Sequence, residues 1–137
     1  MPFIGCDSSS NGGSSNGGTT CICTTLENLI GDHVLLTKID GAMLYAFGDL
    51  ESGTTCFITI YFRVSNVNLT SGCVVFELLR PLGQRSITLP NSVCCVPLNQ
   101  VCKGQNLSVN VTNQFVTVDC DCLCSVQEIF PVVVESV

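Results

Sequence analysis

CFITIYFRV, residues 56–64, decides the fold class. In an extended chain Cys56, Ile58, Ile60, Phe62 and Val64 share one face, and Thr59, Tyr61 and Arg63 share the other. A period of two in β-branched and aromatic residues is the pattern of a strand rather than a helix. The pattern recurs on both sides. Upstream, HVLLTKI (33–39) and AMLYAF (42–47) flank Asp40-Gly41, a pair that predicts a tight type I′ hairpin. Downstream, CVVFELLR (73–80) turns Val74, Phe76 and Leu78 inward and Glu77 outward. RSITLP (85–90) and SVCCVPL (92–98) are short and proline-marked, as edge strands are. LSVNV (107–111) alternates, Thr112-Asn113-Gln114 turns the chain, and QFVTVDCDCLCSV (114–126) reads as one long strand. FPVVVE (130–135) closes the series.

About eight short strands with turns between them predict an all-β fold: an antiparallel β-sandwich, with a jelly roll as one form of it. Parallel α/β folds are excluded, because no helices fill the gaps between strands. The one helical hint is TTLENLI (24–30), where Thr24 and Glu27 fit a weak capping box. Residues 7–20, DSSSNGGSSNGGTT, lack the side chains that build a core. The chain therefore divides into a flexible Gly/Ser-rich N-terminal arm over 1–23, carrying Cys6, Cys21 and Cys23, and a single β-sandwich domain over 24–137. Fourteen such residues span roughly 20 Å, enough to place Cys6 on a neighbouring subunit.

Only 12% of the 137 residues are charged, against about 25% in an ordinary soluble domain. A surface of Thr, Ser, Asn and Gly repels its neighbours weakly, which suits packing against copies of itself. The net charge of −6 and the scattering of Lys38, Arg63, Arg80, Arg85 and Lys103 exclude a nucleic-acid interface. No apolar run approaches a membrane span. The opening MPFIGCDSSS lacks the basic and apolar regions of a secretory signal, so synthesis without a signal peptide is expected.

Eleven cysteines approach the density of a disulfide scaffold, and an odd count leaves at least one free, metal-bound or paired with another chain. In a continuous strand Cys120, Cys122 and Cys124 extend the face of Val116 and Val118. Neighbours in such a row lie about 6.6 Å apart with parallel Cβ vectors, poorly placed to bond one another. They can pack as small apolar side chains, bond to another strand or another chain, or ligate a metal. Cys56, Cys73, Cys94, Cys95 and Cys102 are candidates for intramolecular disulfides or for the core, Cys56 and Cys73 as a possible pair. Zinc is disfavoured by the C-x-C spacing and the single histidine, and no cofactor is expected. No catalytic constellation exists either. His33 reads as a strand-edge residue, and Asp119 and Asp121 as a solvated strand face, so no enzyme is predicted.

Two segments carry a family likeness. FRVSNVNLTSGCVVFELL (62–79) resembles the cysteine-rich spore coat proteins of the Y/Z family, which include exosporium and crust proteins of Bacillus-type spores. There a Phe-Arg-Val run, here Phe62-Arg63-Val64, precedes a polar loop, a cysteine (Cys73) and an apolar strand. FVTVDCDCLCSVQEI (115–129) is similar to that family's closing motif, here Thr117-Val118-Asp119, Cys122, Cys124 and Val126-Gln127. The likeness runs from about Gly41 to Ile129. The short helical stub, the extra Cys120 and the FPVVVESV tail depart from the family's pattern, and leave room for a divergent subunit of a spore appendage fibre.

The resemblance implies a self-assembling structural protein of the spore surface, in the coat, the exosporium or an appendage. It would be crosslinked by intermolecular disulfides, with Cys6, Cys21, Cys23, Cys120, Cys122 and Cys124 as candidates. Its partners would be copies of itself in a high-order homopolymer, and other spore-surface proteins, with neither nucleic acid nor membrane. Synthesis in a mother cell followed by later oxidation reconciles the missing signal with the cysteine density. Two other readings compete: a glycan- or host-binding surface β-sandwich module, and a metal-binding cysteine-rich protein.

Overall fold

The computed structural model describes residues 3–4, 21–51, 55–82, 86–87, 107–129 and 132–135. Within them, nine strands and one helix follow in the order β1 (Phe3–Ile4), α1 (Cys21–Glu27), β2 (His33–Lys38), β3 (Ala46–Gly48), β4 (Phe57–Thr59), β5 (Phe62–Asn68), β6 (Cys73–Pro81), β7 (Leu107–Asp119), β8 (Leu123–Glu128) and β9 (Val132–Glu135). The fold is all-β and sandwich-like. One seven-stranded sheet has the order β1-β7-β6-β5-β2-β8, with β9 also on β7, and β3 and β4 form a separate pair. The inner ladders are antiparallel; β1 and β9 lie parallel to β7. The strands expected at 85–90 and 92–98 lie outside the described residues, apart from Ser86 and Ile87.

The hairpin after β2 differs from the expected type I′. Gly41 N–H donates to the Lys38 carbonyl, Gly41 takes φ +90°, and Asp40 is not at positive φ. The loop is thus a turn closed by a left-handed glycine, the three-residue form, in which only the last position needs φ > 0. Asp40 Oδ1 accepts from Ala42 N–H at 2.9 Å and fixes it.

The deciding stretch divides in two. Thr59 Oγ1 donates to the Leu79 carbonyl at 2.6 Å and accepts from Tyr61 N–H at 3.0 Å, a bend that ends β4 and starts β5. Thr59 and Tyr61, expected outward, are both buried, Tyr61 in a second core that also takes Ile58 and Ile60. The main core holds Leu26, Val34, Leu36, Phe62, Val64, Val74, Phe76, Val116 and Val118, with the Phe62 and Phe76 rings 5.7 Å apart. The second holds Ile58, Ile60, Tyr61, Leu79, Ile87, Leu107 and Val109. Leu78 and Leu79, adjacent in sequence, enter different cores, as successive residues of a strand must.

Two further expectations change. Thr112-Asn113-Gln114 does not end a strand: β7 runs through it as a bulge, with the register passing from Glu77↔Phe115 to Leu79↔Val111. Asn113 sits there at φ +59°, and Thr112 Oγ1 donates to the Leu78 carbonyl at 2.7 Å. Glu77, expected outward, is 3% exposed. It accepts from Arg63 Nε and Nη2 across the β5–β6 ladder and from the bulge's Asn113 N–H at 2.9 Å. A buried carboxylate persists because its lone pairs are used.

His33 faces Arg63 across the β2–β5 ladder. Partial burial, and then the Arg63 charge, hold its imidazole below the ordinary 6.5, with Asp32 pulling the other way. The unfolded chain therefore binds this proton more readily than the folded one. Stability from this group is full above the ordinary value and is lost as pH falls through 6.5 toward the folded value. Urea titrations across that window should give His33→Gln a shallower acid-side loss than wild type. Parallel profiles would remove His33 as the cause.

Candidate functional site: a cysteine corner

The chain leaves β7 at Asp119 and turns through one 3-10 turn, Cys120–Cys122, before entering β8. Asp119 caps the turn, its Oδ1 accepting from Asp121 N–H at 2.9 Å. Cys120 N–H donates to the Gly72 carbonyl at 2.8 Å, and Ile39 N–H to the Cys122 carbonyl at 3.0 Å. The long strand expected over 114–126 is thus broken, and the shared face of its cysteines with it. Cys120 and Cys122 are buried, Cys124 is exposed, and Leu123 takes the inward place.

Helix α1 packs on the same corner. It starts at Cys21, so Cys21 and Cys23 belong to a helix rather than to a tether. Cys23 and Leu26, three apart, give the helix its buried stripe. Gly31, at φ +95°, then ties the helix exit to β5 by donating to the Val64 carbonyl at 2.8 Å.

Cys23 and Cys120 are bonded to each other within the chain, Cα to Cα 5.4 Å, and both are buried. This corrects their assignment as interchain crosslinkers: each points into the main core, where no neighbouring subunit can reach. Cys122 is also disulfide-bonded. Cys21, Cys56 and Cys124 are exposed free thiols, and Cys73 is a half-buried one. Cys56 and Cys73, candidates for an intramolecular pair, are therefore not bonded. Cys73 opens β6 opposite Asp119 at the corner, while Cys56 precedes Phe57, which lies under the Arg80 guanidinium near the other end of β6. The span of β6 is roughly 26 Å. Cys6, Cys94, Cys95 and Cys102 lie outside the described residues.

Among the described residues, no cluster of three or more His, Cys, Asp or Glu side chains is arranged to hold a metal ion. No helix there is long and apolar enough to cross a membrane. Near Cys56 the polar groups satisfy one another: Gln114 Nε2 donates to Asp49 Oδ1 at 2.7 Å, Asp49 N–H returns to Gln114 Oε1 at 2.8 Å, and Arg80 Nη1 reaches Asp49 Oδ2 at 3.3 Å. That arrangement ties the β3–β4 pair to the β7 bulge.

A β-sheet closed over a short helix, pinned by a buried disulfide and carrying free thiols on its surface, defines a cysteine-rich structural domain. The family described as Spore coat protein Z matches residues 6–130. The chain belongs to that family and is a structural protein of the spore coat. Both segments that carried the likeness, 62–79 and 115–129, fall inside the match. Comparison with curated proteins and with solved structures gave no match.

Proposed function

We propose that this chain is a self-assembling subunit of the spore surface, joined to copies of itself and to other surface proteins by interchain disulfides. The observation that carries this is the sorting of its cysteines. Those bonded within the chain are in the core, and Cys21, Cys56 and Cys124 stand free at the surface. Exposure is what an intermolecular bond needs, since the thiolate must reach a second chain. Each crosslink forms when two thiols lose two protons and two electrons to dioxygen. The thiols lie at both ends of β6, so one subunit can bond at two places and the product can be open-ended. A sparse charge of 12% lets such subunits approach.

Gel electrophoresis without reductant tests the proposal. Air-oxidised wild type should run as a ladder that collapses to monomer with dithiothreitol. Cys21→Ser, Cys56→Ser and Cys124→Ser combined should remove most of the ladder. An unchanged ladder would show that these thiols are not the links.

A further inference from the structure

The two ends of the subunit that carry exposed thiols are unlike. At the corner, Cys124 is the extra residue of a bulge on the edge strand β8: Lys38 stands opposite Leu123 and Thr37 opposite Ser125, so Cys124 has no counterpart on β2. Asp121 is exposed and Asp119 half-buried, and among the described residues neither carboxylate is paired with a cation. Lys38, on the neighbouring strand, is held by Asp40 at 3.6 Å. Ile39, whose N–H binds the Cys122 carbonyl, is exposed and gives the corner an apolar spot. At the other end, the pairing of Gly48 with Phe57 places Asp49, Leu50 and Cys56 in one loop between β3 and β4. Leu50 and Phe47 are exposed there. Charge in this loop is closer to balance. Arg80 lies over the Phe57 ring and on Asp49, and among the described residues Glu51 is the one carboxylate of the loop outside that pair.

We propose that the links run head to tail, Cys124 of one copy bonding to Cys56 of the next. This rests on the crosslinking reading above and names the partner of each thiol. Two corners brought together would set Asp119 and Asp121 of both copies around one bond with no cation between them, and like charges facing each other across a contact reject the pairing. The loop end offers the Arg80 guanidinium, whose side chain is 33% exposed, to those same carboxylates. Two loop ends can bond each other, but each such bond stops the chain at a pair. An open-ended ladder therefore requires the unlike bond, which is heterologous and does not close on itself. In that contact Leu50 and Phe47 of one copy cover Ile39 of the other. When the link forms, two S–H bonds break, one S–S bond forms, and dioxygen takes both protons and both electrons as hydrogen peroxide.

Air oxidation of two full-length variants tests the pairing, with the Cys23–Cys120 bond intact in both. Cys21→Ser with Cys56→Ser keeps only the corner thiol of the three, and Cys21→Ser with Cys124→Ser keeps only the loop thiol. On gels without reductant the first should stay monomeric, and the second should go no further than a dimer. An equimolar mixture, with one variant isotope-labelled, should give a mixed dimer at least about tenfold faster than the first variant dimerises with itself. Peptide mapping of that dimer should find Cys56 joined to Cys124, and Cys21→Ser alone should keep the wild-type ladder. A corner variant that dimerises through Cys124 as fast as the mixture, a mixture without the Cys56–Cys124 peptide, or a Cys21→Ser protein without a ladder would each overturn the head-to-tail pairing and leave crosslinking standing. A wild type that forms no ladder would remove crosslinking and the pairing with it.

Discussion

Replacing Cys23 or Cys120 with alanine should destabilise the oxidised protein by roughly 4–5 kcal/mol, the largest effect expected of any single substitution here. The bond joins residues 97 positions apart. Closing so long a loop removes much of the unfolded chain's freedom, and the chain-entropy estimate for about 100 residues is near 4.7 kcal/mol. Both sulfurs are buried, so each alanine also leaves a small gap in the main core. Urea denaturation without reductant checks the value. Because either change removes the whole bond, the double variant should be little worse than each single one. Additive losses would mean that the two cysteines act as separate core residues and not as a bond.

The second large effect is an asymmetry between Arg63 and Glu77. Arg63→Ala should cost about 3 kcal/mol, at the low end for breaking a buried ion pair. Among the described residues, it leaves the Glu77 carboxylate in the interior with only the Asn113 N–H. Glu77→Ala should cost less, about 2 kcal/mol, because the Arg63 side chain is 42% exposed and water can replace its partner. Thermal or urea unfolding of both singles and the double gives the coupling. Equal losses in the two singles would contradict the difference in burial. The bulge is part of this result: without Asn113 turned toward β6, Glu77 would have one fewer donor.

Strand identity was legible where one face meets a core and the other meets solvent. β2 and β5 keep a period of two, and β2 and β6 match their expected bounds within one residue. Legibility ended where the supposed outer face is buried as well, as at Thr59, Tyr61 and Glu77. Alternation shows that two faces differ but not that the second is wet. The corner was hidden for another reason. Asp119-Cys-Asp-Cys preserves the strand period on paper, while an Asp at the start can cap a turn, and Asp119 does so. Helix α1 begins ahead of the TTLENLI pattern because Cys23 serves it as an apolar residue. Taken with Leu26, it marks the buried stripe. The pairing of Cys23 with Cys120 could not be read at all, since it depends on the docking of that helix.

The 3-10 corner also shapes how the chain acquires its structure. β7 and β8 are consecutive, yet β8 leaves the corner to pair with β2, aligning Val34 with Glu128 and Leu36 with Val126. β5 and β6 need only a short loop to meet, from Asn68 to Cys73. Local ladders form quickly, and contacts between distant segments wait on the closure of long loops. The β5–β6 hairpin is then the natural early unit, and the β2–β8 seam the last to close. Val126, Gln127 and Glu128, which complete that seam, come after β2, β5, β6 and β7 in the chain, so those ladders can form before β8 is available to finish the sheet. The Cys23–Cys120 bond joins helix α1 to this corner across 97 positions, so its two sulfurs meet only when those distant segments dock.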